Sequence, residues 1–420
     1  MTDIITESEE AGFASDLTQS NTLGESVQAY ISRVRGGDMG ALPSVFGLVV
    51  LFIVFGFAND RFLSNLNMAN LITQAGPIII LAMALVPVLL LGEIDLSAGV
   101  AGGVAACVMG VLMVEHDQPW GLAVLAALAT GAVIGIVIGL IVAKLGIPSF
   151  VVTLAFFLGL QGVTLKLIGE GGSVRINQEV IAGIANNNMS VAAGWILAVA
   201  VIAAYAVLAL LRHRRKVERG LQHQPFAVVV AQIVALGLVT LGVAFVLNQD
   251  RSVNPTFPIK GIPYVLPMIV VLLILWTFAL GRTTWGRHVY AVGGNPEAAR
   301  RAGISVDRIR ISVFMACSTM AALSLIVQAS VSGKVSSSSG AGNALLYAVG
   351  AAVIGGTSLF GGKGKARDAV TGGLVIATIA NGLGLLNQAS WINFVVTGGV
   401  LLLAASVDAI SRRRRSATGI

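Results

Sequence analysis

NLITQAGPIIILAMALVPVLLLGEIDLSAGVAGGVAACVMGVLMV, residues 70–114, decides the class of fold. It holds two apolar runs, 70–91 and 95–114, with Glu93 and Asp95 at the break between them. A helix needs about 20 mostly apolar residues to cross a bilayer, and each run supplies them. Working outward, ten more runs qualify, near 42–58, 120–143, 147–168, 191–211, 226–247, 262–280, 309–330, 344–360, 367–386 and 391–410. The runs at 42–58 and 344–360 are short. The second holds Gly350, Gly355 and Gly356, so a broken or re-entrant helix is expected there.

Composition agrees. Of 420 residues, 56% are hydrophobic and only 11% charged, against about 25% charged in a soluble domain. Fifty glycines in so apolar a chain point to helices packed backbone to backbone in lipid. The predicted fold class is all-α, a polytopic transmembrane bundle of about 12 helices. The net charge of +7 is not gathered on a basic face of a soluble domain, so a nucleic-acid partner is excluded. Cys107 and Cys317 both fall inside apolar runs and read as small core residues. No disulfide framework and no metal-ligand spacing exists.

Lys and Arg set the orientation, because the loops on the cytoplasmic side carry the excess. With both termini cytoplasmic, the inner loops hold nineteen basic residues: Lys144, five between 212 and 219, six between 282 and 310, Lys363, Lys365, Arg367 and Arg412–Arg415. The outer loops hold five: Arg61, Arg175, Arg251, Lys260 and Lys334. Residues 1–40 carry seven acids against Arg33 and Arg35 and lack the basic-then-apolar order of a signal peptide. They read as a disordered acidic cytoplasmic tail. The expected membrane domain is 41–411, and 412–420 is a basic cytoplasmic tail whose arginines anchor at the anionic inner leaflet.

The longest hydrophilic interruption is GRTTWGRHVYAVGGNPEAARRAGISVDRIR, 281–310. Asn295 reads as an N-cap, Pro296 as the first helical residue, and Glu297 as an anion in the first turn. Arg300 and Arg301 fill the last turn, and Gly303 supplies a left-handed stop. A short helix over Pro296–Ala302 is predicted, with Ser305 placed to cap the next one. Capping alone does not separate a structured loop from a docking element.

Glu297-Ala298-Ala299, followed three residues later by Gly303, resembles the EAA loop of bacterial ABC importer permeases. The wider stretch GRHVYAVGGNPEAARRAGISVDRIRISVF resembles the ribose/xylose/galactose branch of those permeases. LGEIDLSAG at 91–99, KLGIPSFVVTLAFFLGLQGVTL at 144–165 and GAAVIGGTSLFGGKGKARDAVTGGLVIATIANGLGLL at 350–386 follow the same pattern in the same order. The resemblance covers roughly 40–410. Ribose-type members look about two helices shorter. The runs at 191–211 and 226–247, within a divergent stretch at 185–255, and the form GEIDLS with Glu93 look like D-xylose permeases. The chain departs from the pattern at Ala344-Leu345-Leu346-Tyr347, where members often carry an acid and an Ala-Ile run.

The resemblance implies a permease subunit in a bacterial cytoplasmic (inner) membrane that translocates a monosaccharide and is not an enzyme. It implies two permease copies, a separate ABC ATPase holding ATP and Mg, and an extracytoplasmic sugar-binding protein. The loop at 281–308 would be the coupling element, with Pro296, Glu297, Ala298, Ala299, Arg300 and Gly303 meeting the ATPase. No nucleotide motif exists in the chain itself. At Gly364-Lys365 the first phosphate-loop glycine is replaced by Leu359 and the Ser/Thr by Ala366.

Glu93 and Asp95 are the only paired carboxylates at a break between apolar segments, and acids there default to functional hypotheses. They could accept sugar hydroxyls. They could equally belong to a cytoplasmic loop, with Asp95 capping the following helix and Ser97 adding to the turn. GEIDLSAG at 92–99 faintly echoes GGTSLFGG at 355–362, and paired glycine-interrupted segments mark transport pathways. Glu93, Asp95, Ser97, Thr357, Ser358 and Asn381 are therefore the candidate pathway residues. Gln74, Gln161, Lys166, Gln232, Gln328 and Asn381 are polar residues inside apolar runs, and each also fits a helix–helix hydrogen bond. Ribose, galactose, a nucleoside or an autoinducer are alternative solutes. A secondary transporter would place more acids and bases deep in its helices.

Overall fold

The computed structural model describes residues 24, 40, 42–221, 223–252, 254 and 256–418. The acidic tail expected over 1–40 thus lies almost wholly outside the described residues. All twelve apolar runs are helical: α1 (Leu42–Ala58), α2 (Asn65–Leu90), α3 (Ala98–Val114), α4 (Trp120–Leu140), α5 (Ser149–Ile168), α7 (Val191–Glu218), α8 (Phe226–Asn248), α9 (Val265–Arg282), α12 (Val306–Ser332), α13 (Ala344–Gly355), α14 (Ala366–Leu385) and α15 (Ser390–Thr418). Eight are long and apolar enough to cross a membrane. Four apolar helices are shorter: α1, α3, α13 and the Trp391–Leu403 part of α15. The broken segment expected at 344–360 is the 12-residue α13, about 18 Å long.

Among the described residues there are also three short α-helices, α6 (Glu179–Asn186), α10 (Thr284–Gly294) and α11 (Pro296–Arg301), and a π-helical turn, Ile141–Leu145. The sequence signalled only α11. Two three-residue strands, β1 (Ser173–Arg175) and β2 (Lys334–Ser336), pair antiparallel with Val174 opposite Val335. They join two loops that the charge pattern assigns to one side.

The chain forms two compact units. One takes in 40–189 and 250–410; the other takes in 190–249. The second holds the extra pair, α7 and α8; in the basic last turns of α7, Arg214 pairs with Glu218 at 2.6 Å.

In the larger unit, α2 is buried almost all round from Ala75 to Leu90. An all-apolar helix has nowhere more favourable to lie than the middle of a bundle. Around it pack α9, α12, α13 and α14, each giving buried side chains to one cluster with it, whereas most of the buried side chains of α3 belong to two other clusters. The outer helices expose large apolar side chains, such as Phe150, Leu154 and Leu158 on α5 and Ile274, Leu275 and Phe278 on α9. That inversion of a soluble surface suits lipid.

The tightest seam joins α4 to α12. Gly131, Gly135 and Gly139 recur every fourth residue on α4, and a Cβ at Gly131 would stand 2.6 Å from the Ser318 carbonyl oxygen. At Gly139 it would stand 2.7 Å from Ile311 Cα. Without side chains between them the two backbones touch, as small-residue stripes allow in membranes. The seam braces α12 from Ile311 to Ala322, within a helix of 27 residues about 40 Å long.

Candidate functional site

Polar groups gather at the two ends of α12. At the α11 end, Asn295 Oδ1 accepts the Glu297 and Ala298 N–H groups at 3.0 Å each. Helix α11 then runs to Arg301, with Ala302 as its C-cap, one residue shorter than predicted. Gly303 has φ +82°, as its left-handed role requires. Glu297 pairs with Arg300 at 2.9 Å and Arg301 at 3.7 Å, all exposed. Ala298 is exposed, but Ala299 is buried in the chain's own core. Ala299, expected with Ala298 to meet the ATPase, faces inward, because helical spacing turns adjacent residues about 100° apart. Ser305 does occupy the N-cap of α12, without a side-chain bond.

Helix α10 seats α11 on the bundle. Thr283 caps it through the Gly286 N–H at 3.1 Å, and Val289 and Val292 are buried. The Trp285 indole donates to Ser312 Oγ on α12 at 2.8 Å. The Tyr290 hydroxyl donates to the Gly364 carbonyl at 2.7 Å. Burial, with Asp368 nearby, pushes the Tyr290 phenol above its usual value, so it stays a neutral donor. Gly293 lies directly on the Leu90 carbonyl, where any Cβ would collide, and beside the Gly362 N–H. That N–H itself donates to Leu90 O at 2.8 Å. One short helix thus touches the end of α2 at Leu90 and the glycine-rich break 356–365, and the two echoing segments meet there through Gly92 and Gly361.

The two acids part company at this junction. Glu93 Oε1 lies 3.0 Å from Arg310 Nε on α12, with side chains 14% and 27% exposed. The guanidinium N–H is not aimed along a hydrogen bond, so the contact is ionic. Asp95 is buried and turns the other way: its Oδ1 accepts the Ser97 N–H at 2.9 Å and hydroxyl at 2.6 Å. Its Oδ2 has no N–H or O–H donor among the described residues, and the weakly polar Cys317 thiol lies beside it. The N-cap of α3 is Ser97, not Asp95. The break is pinned by α5, since Ser149 Oγ accepts the Ile94 N–H at 3.2 Å and Thr153 Oγ1 donates to Ile94 O at 3.2 Å.

Thr357 and Ser358 are buried in the other break. Thr357 donates to Asp368 Oδ2 at 3.3 Å, and the Ser358 N–H donates to Lys363 O at 2.8 Å. Asn381 is elsewhere. It exchanges hydrogen bonds with Asn67 at 2.9 and 3.0 Å and donates to Gln74 at 3.3 Å, tying α14 to α2.

At the other end of α12 lies a cavity of about 280 Å³. Its walls are Pro77, Ile78 and Leu81 of α2, Ser324, Leu325, Gln328 and Ser332 of α12, Lys334 and Ser336 of β2, and Ser338–Ala341 with Ala344. None of the six residues singled out for the pathway lines it. Sequence reading missed it, although Gln328 and the serine run 336–339 were its signals. A larger groove of about 560 Å³ on α1 is lined by Leu48, Val49, Phe52, Ile53, Gly56, Phe57 and Leu63 and gives a polar solute no hydrogen bond.

A helical bundle with broken helices meeting under a short surface helix, and a polar cavity at the far end, defines a multi-pass membrane transport subunit. Residues 67–215 and 225–405 match the family described as branched-chain amino acid transport system / permease component, and the chain belongs to that family. It is a permease subunit and not an enzyme. It is 32% identical over 385 residues to the xylose transport system permease protein XylH of Escherichia coli (strain K12), covering 91% of this chain and 95% of that one. It is 30% identical to the ribose import permease protein RbsC of the same strain, covering 87% and 92%. The fructose import permease protein FrcC of Rhizobium meliloti is 27% identical, covering 88% and 84%. No solved structure matches the chain.

Proposed function

We propose that the chain is the membrane-spanning subunit of an ATP-driven importer of a monosaccharide, D-xylose or a related pentose, in the bacterial inner membrane. The sugar is supported by the relatives, of which the xylose permease is more similar than the ribose or fructose permeases. The ATP-driven reading is carried by one observation: α11 presents an exposed face while, on α10, Gly293 packs on the Leu90 carbonyl at the end of α2 and Tyr290 donates to Gly364 in the break 356–365.

On this reading a separate ATPase holds ATP and Mg and engages Pro296, Glu297, Ala298 and Arg300. Ala299 and Gly303 keep the helix in place rather than touch the partner. An external binding protein delivers the sugar, and two copies of the chain flank the path. The side carrying α11 is cytoplasmic, with both termini.

The test is labelled-xylose uptake in cells lacking their own xylose uptake, with the permease, ATPase and binding protein co-expressed. Uptake that needs all three components is expected, with xylose competing better than ribose or fructose. Uptake without the ATPase, or no monosaccharide uptake with all components at normal abundance, would overturn the proposal.

A further inference from the structure

We propose that the cavity between α2, α12 and the serine run 336–339 is a station for the sugar on the outer side of its path. Gln328 and the serine hydroxyls there take the sugar's hydroxyls. The inference rests on the importer reading and adds a site to it.

The cavity's polar groups sort into used and unused. Ser324 spends its hydroxyl on Pro77 O at 2.7 Å. Ser332 donates within reach of Gln328 O and Lys334 O, both at 2.9 Å. Gln328 is different. It is exposed although Val327, Ala329 and Leu325 around it are buried, and it lines the cavity. Its amide makes no hydrogen bond among the described residues, leaving two donors and an acceptor open.

Opposite it, Ser336 Oγ lies 3.1 Å from Ser338 Oγ and 3.4 Å from Ser339 Oγ. Ser339 Oγ also accepts the Ser336 N–H at 2.9 Å. Each hydroxyl can serve as donor and as acceptor, so the cluster has capacity to spare. Pro77, Ile78 and Leu81 give an apolar wall for a C–H face.

Charge narrows the solute. No carboxylate lines the cavity, and its only charged residue is Lys334. A cation gains nothing there. A neutral polyol finds convergent hydroxyl partners beside an apolar wall, the usual make-up of a small-molecule site. The volume of about 280 Å³ admits one small solute. Lys334 belongs to β2, on the side that the basic-residue count makes external.

The test uses cysteine substitution in intact cells carrying the whole importer. Cys107 and Cys317 are buried, so the background is low. Gln328→Cys and Ser338→Cys are exposed to a membrane-impermeant methanethiosulfonate, with His116→Cys on an exposed loop as control. Labelling should stop uptake at both cavity positions, run slower under saturating xylose, and leave uptake by His116→Cys intact. Unlabelled Gln328→Leu should lose between about 2- and 10-fold in uptake, the worth of one neutral hydrogen bond, while binding-protein-stimulated ATP hydrolysis persists. Full uptake after labelling at both positions, or no labelling at either, would overturn the station. Unmodified protein that moves no sugar in the same cells would remove the importer reading, and the station with it.

Discussion

Gly303 closes α11 through a Schellman turn. Its N–H donates to Arg300 O and the Ile304 N–H to Ala299 O, both at 3.0 Å. Its φ of +82° is one that only glycine adopts without strain, yet a Cβ there would meet nothing within 4 Å. The cost of Gly303→Ala is therefore conformational alone, about 1–2 kcal/mol. Reduced freedom of the unfolded chain returns about 0.4–1 kcal/mol of that. A net of about 1 kcal/mol changes the population of the formed turn roughly fivefold. A helix of six residues has no stability of its own to absorb such a loss. Asparagine tolerates this region better and valine worse. Coupled sugar uptake, normalised to membrane abundance, should fall in the order Gly, Asn, Ala, Val, while ATP hydrolysis by the assembled complex falls less. Wild-type uptake by Gly303→Val at normal abundance would refute the reasoning. So would a loss of uptake that only tracks a loss of protein, because the turn would then serve folding and not the setting of α11.

Three further outcomes are expected. Asn381→Leu removes the bonds to Asn67 and Gln74 that tie α14 to α2, leaving the Asn67 side chain only its bond to Phe62 O, so the protein in detergent should lose about 0.6–1.7 kcal/mol and melt earlier with uptake per molecule unchanged; a large fall in uptake without loss of stability would put Asn381 in the path. In a double-mutant cycle on thermal stability, Glu93→Gln and Arg310→Gln should couple by about 1–2 kcal/mol, below the 3–5 kcal/mol of breaking a fully buried pair, and zero coupling would show that the contact holds nothing. Hydrogen bonds from the backbone and side chain of Ser252 hold Asp250 below the usual carboxylate range, with Lys260 a lesser cause; a lowered folded value means that its contribution is full above about pH 4 and is lost as pH falls through the lowered value, so amide exchange at Ser252 and Ile259 should quicken only in acid, and equal rates at pH 6 and pH 3 after correction for intrinsic exchange would count against it.

The parts legible in the sequence are those that lipid enforces. A segment without water to satisfy its backbone must be helical over a fixed length, and each of the twelve apolar runs is a helix. The cap at Asn295 and the stop at Gly303 were legible for a local reason, since both act within a few residues. Helix α10 was hidden because Gly286, Gly293 and Gly294 lower helix propensity, and its stability comes from Val289 and Val292 packed on the bundle. The pairing of Glu93 with Asp95 misled because nearness in an irregular segment says nothing of direction. One side chain reaches Arg310, and the other folds back on Ser97. Gln328 and the serine run 336–339 were the cavity's only signals, and they did not reveal it because its walls, such as Pro77 and Ser324, come from distant parts of the chain.

What the two acids do follows from what surrounds them. A carboxylate below the membrane surface needs a cation or several donors, and Glu93 has the first in Arg310 while Asp95 has two bonds from Ser97. Glu93 binds the break at 91–97 to α12, Asp95 closes the break on itself through Ser97, and neither lines the cavity. The proposed sugar station uses neutral groups instead. That division has a physical reason, since a carboxylate facing an outer aqueous cavity would draw cations. α12 belongs to both places. Arg310 and Ser312 bring it to the junction, where Glu93 and Trp285 hold them, and Gln328 brings it to the cavity. Eighteen residues of helix separate Arg310 from Gln328, about 27 Å. The glycine seam with α4 packs Ile311, Phe314 and Ser318 of that stretch directly against the α4 backbone. A tilt of α10 imposed at one end would therefore be felt as movement of the cavity wall at the other, through one braced helix common to both.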